Sequence, residues 1–264
     1  MCTLTLNGKL IKYRYSKNEG LPIVFLHGYL ESMDVFTQFI DTYMPEIPTL
    51  ILDIPGHGCS ESIEKHQTME QIANQVVSLL DYLKIETFII YGHSMGGYVA
   101  QAVVKQVPQR AKLLGLLHSN VFADSTEKRE NRLREVEAIE QGKLPTIAQL
   151  FLPKVVADFN FQRLVSIVSE WIERVKTMQP QGIISCLYAM AYRPDNTEML
   201  NGSTPIHLIG SDSDQFLTQQ MIDKMTKGSA LHEVTVIEKC GHASFVEQPQ
   251  QLARAIKRVY KEFC

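Results

Sequence analysis

The sequence predicts an α/β fold, with a mostly parallel central sheet, helices on both faces and a long helical insertion. Three observations carry this. Short continuous apolar runs, such as PIVFLHG at 22–28 and TLILDIPG at 49–56, read as strands buried on both faces. Helical patterns alternate with these runs, as crossovers between parallel strands require. Residues 123–200 hold no convincing strand and break that rhythm.

The elements follow in order. LTLNGKLIKYRY at 4–15 places Asn7-Gly8 between alternating apolar residues, a hairpin signal. After the strands at 22–28 and 49–56, Thr68 and Gln71 form a capping box. Ile72, Val76, Leu79, Leu80 and Leu83 then make a helical stripe. FIIYGH at 88–93 is the next strand, and Ser94 to Val107 is helical, with Pro108 as its stop. LLGLLHS (113–119), PIHLIG (205–210) and EVTVIE (233–238) complete the strand set. The final helix begins near Pro249, a favoured first helical residue, and turns Leu252, Ile256, Val259 and Phe263 inward. Within 123–200, STEKRENRLREVEAIEQGK reads as a helix with Leu133, Val136 and Ile139 inward. FQRLVSIVSEWIERVKTM and GIISCLYAMAY read as two more.

The totals narrow the classes of function. A chain of 264 residues with 45% hydrophobic and 21% charged residues can bury a sizeable core. A net charge of −3 gives no basic bias toward nucleic acid or a membrane surface. MCTLTLNGKLIKYRYS lacks the apolar region of a secretory leader, and no run of ~18 apolar residues suggests a membrane span. Cys2, Cys59, Cys186, Cys240 and Cys264 are scattered, with no CxxC pair. Reduced thiols in a cytoplasmic protein are therefore expected, rather than a disulfide framework or a zinc site.

The most informative stretch is YGHSMGGYV at 91–99. A bare Gly-x-Ser-x-Gly is common. A strand before it and a helix after it make it a sharp turn that thrusts Ser94 away from the sheet, above the N-terminus of its own helix. Gly92 and Gly96 leave room for neighbouring strands.

FLHGY (25–29), LDIPGHGCS (52–60), YGHSMGGYVA (91–100), PIHLIGSDSD (205–214) and KCGHASFVEQPQQLARAI (239–256) together resemble the α/β-hydrolase superfamily, in its order and spacing. The resemblance implies a core formed by 1–122 and 201–264, with 123–200 as the family's helical cap. It implies Ser94 as nucleophile and His242, in Gly241-His242, as the base that takes its proton. It places the acid that orients the base after PIHLIG. Asp214 fits best, Asp212 fits a shorter loop, and Asp124 matches a minority arrangement. The backbone N–H groups of Tyr29 and Met95 would stabilise the oxyanion. His27, His57 and His93 fall where the family uses histidine structurally. His118, at a strand end, has no motif support; it could line the pocket, but a plain strand-end role is the expectation.

A serine at the turn excludes the aspartate-nucleophile dehalogenases and epoxide hydrolases of this fold. No cofactor or metal is called for, because His242 already has a role and no His/Asp/Glu cluster has ligand spacing in the sequence. The expected activity is hydrolysis of a small carboxylic ester or lactone through an acyl-serine intermediate. CLYAMAYRPDNTEML (186–200) resembles the end of the cap in small-ester hydrolases and enol-lactonases. The alternatives are C–C bond hydrolysis, perhydrolysis or a menaquinone-type lyase step on the same triad, or a non-catalytic ligand binder. The partner is a small-molecule substrate. Phe151, Phe159, Phe161, Trp171, Met178, Met190 and Tyr192 are apolar residues that could form a lid. Arg132, Arg134, Arg163 and Arg174 are basic candidates for a substrate carboxylate, although helical arginines usually face solvent.

Overall fold

The structure, a computed structural model, describes residues 1–16 and 18–264. Strands β1 (Cys2–Leu6) and β2 (Lys9–Tyr15) form the expected hairpin, with Asn7 and Gly8 both at positive φ in the turn. There follow β3 (Ile23–Leu26), α1 (Thr37–Tyr43), β4 (Thr49–Leu52), α2 (Met69–Tyr82), β5 (Phe88–His93), α3 (Met95–Gln106) and β6 (Ala111–Leu117). The chain then runs through α4 (Thr126–Glu140), α5 (Leu144–Phe151), α6 (Asp158–Val175) and α7 (Pro180–Ala191) before rejoining the sheet. It closes with β7 (Ile206–Ser211), α8 (Gln219–Met225), β8 (Leu231–Ile237), α9 (Ser244–Glu247) and α10 (Pro249–Tyr260).

Among the described residues eight strands form one sheet, in the order β1-β2-β4-β3-β5-β6-β7-β8. β1 and β2 pair antiparallel, β2 joins β4 antiparallel, and every pairing from β4 to β8 is parallel. Successive strand residues point to opposite faces. Every residue of β3, β4, β5 and β7 is buried, so both faces of the sheet centre are covered. On the edge strand β8, by contrast, exposed and half-buried residues alternate.

Local rules set the helix ends. The Thr68 capping box is formed on both sides, Thr68 accepting from Gln71 N and Gln71 accepting from Thr68 N. α3 ends two residues before Pro108, and α10 begins at Pro249. The charged helix at 126–140 buries Val136 and Ile139 while Leu133 is half-buried. Helix α5 was not expected from the sequence.

The topology brings separate loops to one place. The segments after β3, β5, β6, β7 and β8 all leave the carboxyl ends of parallel strands, where open α/β sheets hold their ligands.

Candidate active site

Ser94 sits between β5 and α3 with φ 51 and ψ −114, a conformation that a non-glycine residue adopts at a cost in backbone strain. The turn is tight. A Cβ on Gly92 would lie 2.2 Å from the Gly96 carbonyl oxygen, and one on Gly96 would lie 2.3 Å from that of Leu26. Ser94 N donates to the Leu117 carbonyl at 3.0 Å, and Ser119 Oγ donates to the Ser94 carbonyl at 2.8 Å. The Ser94 backbone is therefore held from β6 while its side chain lines a cavity of about 140 Å³ shared with His242. A larger cleft of about 360 Å³, lined by Arg163 and Trp171 among others, holds neither residue. Chemistry rather than size singles out the smaller cavity.

His242 Nδ1 lies 2.9 Å from Asp214 Oδ1 and 2.8 Å from Oδ2. Burial by itself would raise the pKa of Asp214. The charge of His242 and hydrogen bonds from His118 and His242 outweigh it and hold the carboxyl well below the usual carboxylate range. Asp214 is then acceptor-only, so His242 Nδ1 carries the proton and Nε2 keeps its lone pair when the ring is neutral. Phe216 N and Leu217 N donate to Asp214 Oδ1 at 2.7 and 3.0 Å, fixing the carboxylate from its own loop.

The other two carboxylates lie apart. Asp212 is exposed and accepts from Lys239 N at 2.7 Å and Cys240 N at 3.2 Å, so it braces the loop before His242. Asp124 pairs with Arg132, Arg193 and Lys128.

The loop after β3 leaves one backbone N–H free of protein acceptors among the described residues. Gly28 N is taken by Glu31 Oε2 at 2.6 Å and Leu30 N by His57 Nε2 at 3.1 Å. Between them, Tyr29 N makes no hydrogen bond among the described residues. Met95 is the first residue of α3, so its N–H has no intrahelical acceptor.

The remaining histidines of the motifs are structural, as the resemblance implies. Ile54 N donates to His27 Nε2 at 2.9 Å. His93 joins three loops: Nδ1 meets Glu31 Oε2 at 3.0 Å, and Nε2 donates to the His242 carbonyl at 2.9 Å. Burial opposes the charge on His93, but Glu31 outweighs it and the pKa rises. Glu31 is pushed up by burial and pulled down further by His93, so the two form a buried ion pair.

Two features go beyond the expectations from the sequence, which offered His118 only as a candidate pocket-lining residue. His118 lines the cavity, with Nδ1 3.0 Å from Asp214 Oδ2 and Nε2 2.8 Å from Ser244 Oγ. Its only sequence signal was its place at a strand end. His118, Asp214 and His242 put ligand atoms within 4.8 Å of one another, a cluster invisible in the linear spacing. Each of the three has protein hydrogen-bond partners there. The other feature is Glu247. Its carboxylate accepts from Gly241 N and Ala157 N, both at 2.9 Å, and from Asn160 Nδ2 at 2.8 Å. With His242 N bound to the Val155 carbonyl at 2.9 Å, these contacts tie the His242 loop to the start of α6.

The inserted helices supply the remaining walls. Phe151 and Met190 line the cavity, and so do Lys128, Arg132 and Glu135 of α4. Trp171 packs on Phe245 instead, Met178 is buried, and Phe159 and Tyr192 are exposed. Arg134 is exposed, Arg163 meets Asn160 and the Glu247 carbonyl, and Arg174 pairs with Asp34.

The family model for the alpha/beta hydrolase family matches residues 23–255, and the chain belongs to that family. It is a hydrolase. Among curated proteins it is similar to 3-oxoadipate enol-lactonase 2 of Acinetobacter baylyi, at 24% identity over 99% of this chain and 97% of the relative. It is also similar to an (E)-2-((N-methylformamido)methylene)succinate hydrolase of the same species, at 23% identity over 97% and 96%. Among solved structures, a malate-bound esterase from Thermogutta terrifontis superposes with a TM-score of 0.90 at 23% identity, covering 99% and 98% of the two chains. An enol-lactonase from Burkholderia xenovorans superposes at 0.88 with 19% identity, covering 98% and 100%. These structural likenesses establish the fold. Among the described residues, no helix is long and apolar enough to cross a membrane.

Proposed function

We propose that the chain hydrolyses a small carboxylic ester or lactone through an acyl-Ser94 intermediate, with His242 as base and Asp214 as its orienting acid. One observation carries this reading: Ser94, on a strained strand-to-helix turn, shares a cavity with a histidine whose other ring nitrogen is held by a buried carboxylate. The names of the relatives, an enol-lactonase and a succinate-derivative hydrolase, support the same substrate class.

In this scheme Ser94 Oγ attacks the carbonyl carbon as His242 Nε2 takes the hydroxyl proton. The oxyanion is held by Tyr29 N–H and Met95 N–H. The tetrahedral centre collapses, the C–O bond breaks, and the proton on His242 passes to the leaving alkoxide. For a lactone, that alcohol remains tethered to the acyl group. A water molecule then attacks the acyl carbon, again through His242, and releases the acid with Ser94 restored. Every step uses a protein group or water. The insertion at 123–200 acts as a cap over the site, its anchor to the base loop keeping lid and triad in register. Five unpaired cysteines suit a cytoplasmic setting.

The test is turnover of short p-nitrophenyl esters by the wild type and Ser94→Ala, with fluorophosphonate labelling read by intact mass. Turnover lost in the variant, and one adduct at Ser94, support the reading. Labelling without ester turnover points to a different reaction on the same triad. No label on folded protein points to a non-catalytic binder.

A further inference from the structure

We propose that Arg132 and Lys128 form an anion subsite within the Ser94 cavity, so that the substrate is an ester or lactone carrying a free carboxylate a short distance from its reacting carbonyl. This rests on, and narrows, the hydrolase reading.

Lys128, Arg132 and Glu135 are spaced to fall on one face of α4, and all three line the cavity with Ser94. The ends of Arg132 are used unequally. Its Nε donates to the buried Asp124 carboxylate, which fixes the guanidinium plane. Among the described residues, Nη1 and Nη2 have no hydrogen-bond acceptor, and the side chain keeps 13% of its surface exposed. A guanidinium anchored by one edge presents its other donors as a fork, a shape that matches a carboxylate.

The surrounding charge favours the same ligand. Asp124 is already shared by Arg132, by Arg193 at 2.8 Å and by Lys128 at 3.7 Å. Among the described residues the one carboxylate lining the cavity, Glu135, accepts from Tyr29 Oη at 2.6 Å, and burial raises its pKa despite that bond and the nearby Arg132. Two cations thus face one weakened carboxylate in a half-closed space. Tyr98, on the same wall, reports this field. Burial should raise its pKa, yet the charges of Arg193, Lys128 and Arg132 bring it below the ordinary value. Arg132 therefore offers an edge with no protein acceptor inside the cavity, and an incoming carboxylate can pair with it bidentately. The small cavity holds Ser94 and Arg132 together, so the two ends of the ligand must be close. Half-esters and lactones of short dicarboxylic acids meet these conditions.

The experiment compares two esters of equal length, ethyl hydrogen glutarate and ethyl pentanoate, with wild type, Arg132→Gln and Lys128→Gln. Circular dichroism and phosphonate labelling of Ser94 report folding. The expected result is a wild-type preference for the anionic ester of at least about tenfold in kcat/KM, mostly through KM, as charge-assisted hydrogen bonds predict. Arg132→Gln should bring the ratio close to one, and the exposed Lys128→Gln should lower it less. If Arg132→Gln does not fold, a lowered preference in Lys128→Gln and a decline of the wild-type preference with added salt carry the test, and no change in either overturns the subsite. A wild type that prefers the neutral ester overturns the subsite and leaves the hydrolase reading intact. If neither ester turns over, calorimetry with glutarate decides. Binding lost in Arg132→Gln supports the subsite while the hydrolase reading falls, and no binding to wild type overturns the subsite.

Discussion

His118 Nδ1 lies 3.0 Å from the carboxylate oxygen of Asp214 that His242 Nδ1 approaches at 2.8 Å. Two imidazoles therefore share one acid. Burial pushes the pKa of His118 down to about 4, against the pull of Asp214, so its ring is neutral near pH 7. With Asp214 acceptor-only, the His118 proton must sit on Nδ1, and the Ser244 hydroxyl donates to Nε2. A neutral donor on Asp214 draws negative charge away from His242.

Removing that donor should loosen the Asp214 carboxylate. His118→Ala should reduce turnover about tenfold, as for loss of one hydrogen bond to a charged group. His118→Gln, which retains an amide donor, should recover part of the loss in initial rates on one ester. Equal losses in the two variants would assign His118 to packing alone.

Asp214 and Asp212 should behave very differently. Asp214→Asn removes the carboxylate that fixes the His242 tautomer, and turnover should drop by about 10⁴. Asp212→Asn disturbs acceptors for Lys239 N, Cys240 N and the Ser213 hydroxyl, so it should lower Tm slightly and turnover by a few fold. Initial rates on one ester, with melting curves for both variants, check this. The reverse ranking would move the acid to Asp212.

Much of this was legible from local sequence, and the illegible part has a physical cause. Ser94 and His242 stand in short motifs whose neighbours have tight spatial duties, as at Gly92 and Gly96. The strands at 88–93 and 205–210 announced themselves because burial on both faces demands unbroken apolar runs. His118 was hidden because its partner is 96 residues away and its neighbours carry no motif. Arg132 was named among four basic candidates, but the sequence could not single it out. TEKRENRLREVEAIE is charged around most of its circumference, so nothing in its pattern separates the cavity-facing charges from the solvated ones. The short helices α1 and α5 offer too few turns for a periodic signal.

Buried neutral histidines make stability depend on pH. His207 lies between Tyr91 Oη at 2.8 Å and Thr235 Oγ1 at 3.0 Å, and burial lowers its pKa to about 3. The unfolded chain takes up this proton near 6.5, the folded one only near 3. The His207 contribution is therefore fully present above about pH 6.5 and is lost progressively as pH falls toward 3. Each such histidine adds a slope of about 1.4 kcal/mol per pH unit in that window. His118 adds a similar slope between 6.5 and 4. The Glu31–His93 pair acts in the opposite sense for His93, whose raised pKa gives stability that is present below 6.5 and lost as pH rises. Urea unfolding of His207→Asn should show a shallower fall in stability between pH 6 and 4.5 than the wild type. An unchanged slope would mean that His207 is protonated in the folded protein.

Three large apolar residues of the insertion make a final test, because the structure separates them. Phe151 lines the Ser94 cavity, its ring 5.5 Å from that of Tyr29 and 5.4 Å from that of Phe216. Met190 lines the same cavity from α7. Trp171 lines the separate cleft and sits 6.1 Å from Phe245, which in turn packs 5.0 Å from His93. Shortening Phe151 or Met190 to alanine enlarges the acyl space itself, so longer p-nitrophenyl esters should gain relative to acetate in kcat/KM. Ser94 should still label with phosphonate. Trp171→Ala removes support behind the base loop without touching the cavity wall. It should cost about 3–5 kcal/mol, as large buried aromatics do, and lower Tm while leaving the chain-length profile of the folded fraction unchanged. The profile is a ratio between substrates on one protein sample, so partial unfolding cancels from it. A shift in the profile with Trp171→Ala and none with Phe151→Ala or Met190→Ala would mean that substrates reach Ser94 through the Trp171 cleft rather than beneath α5 and α7.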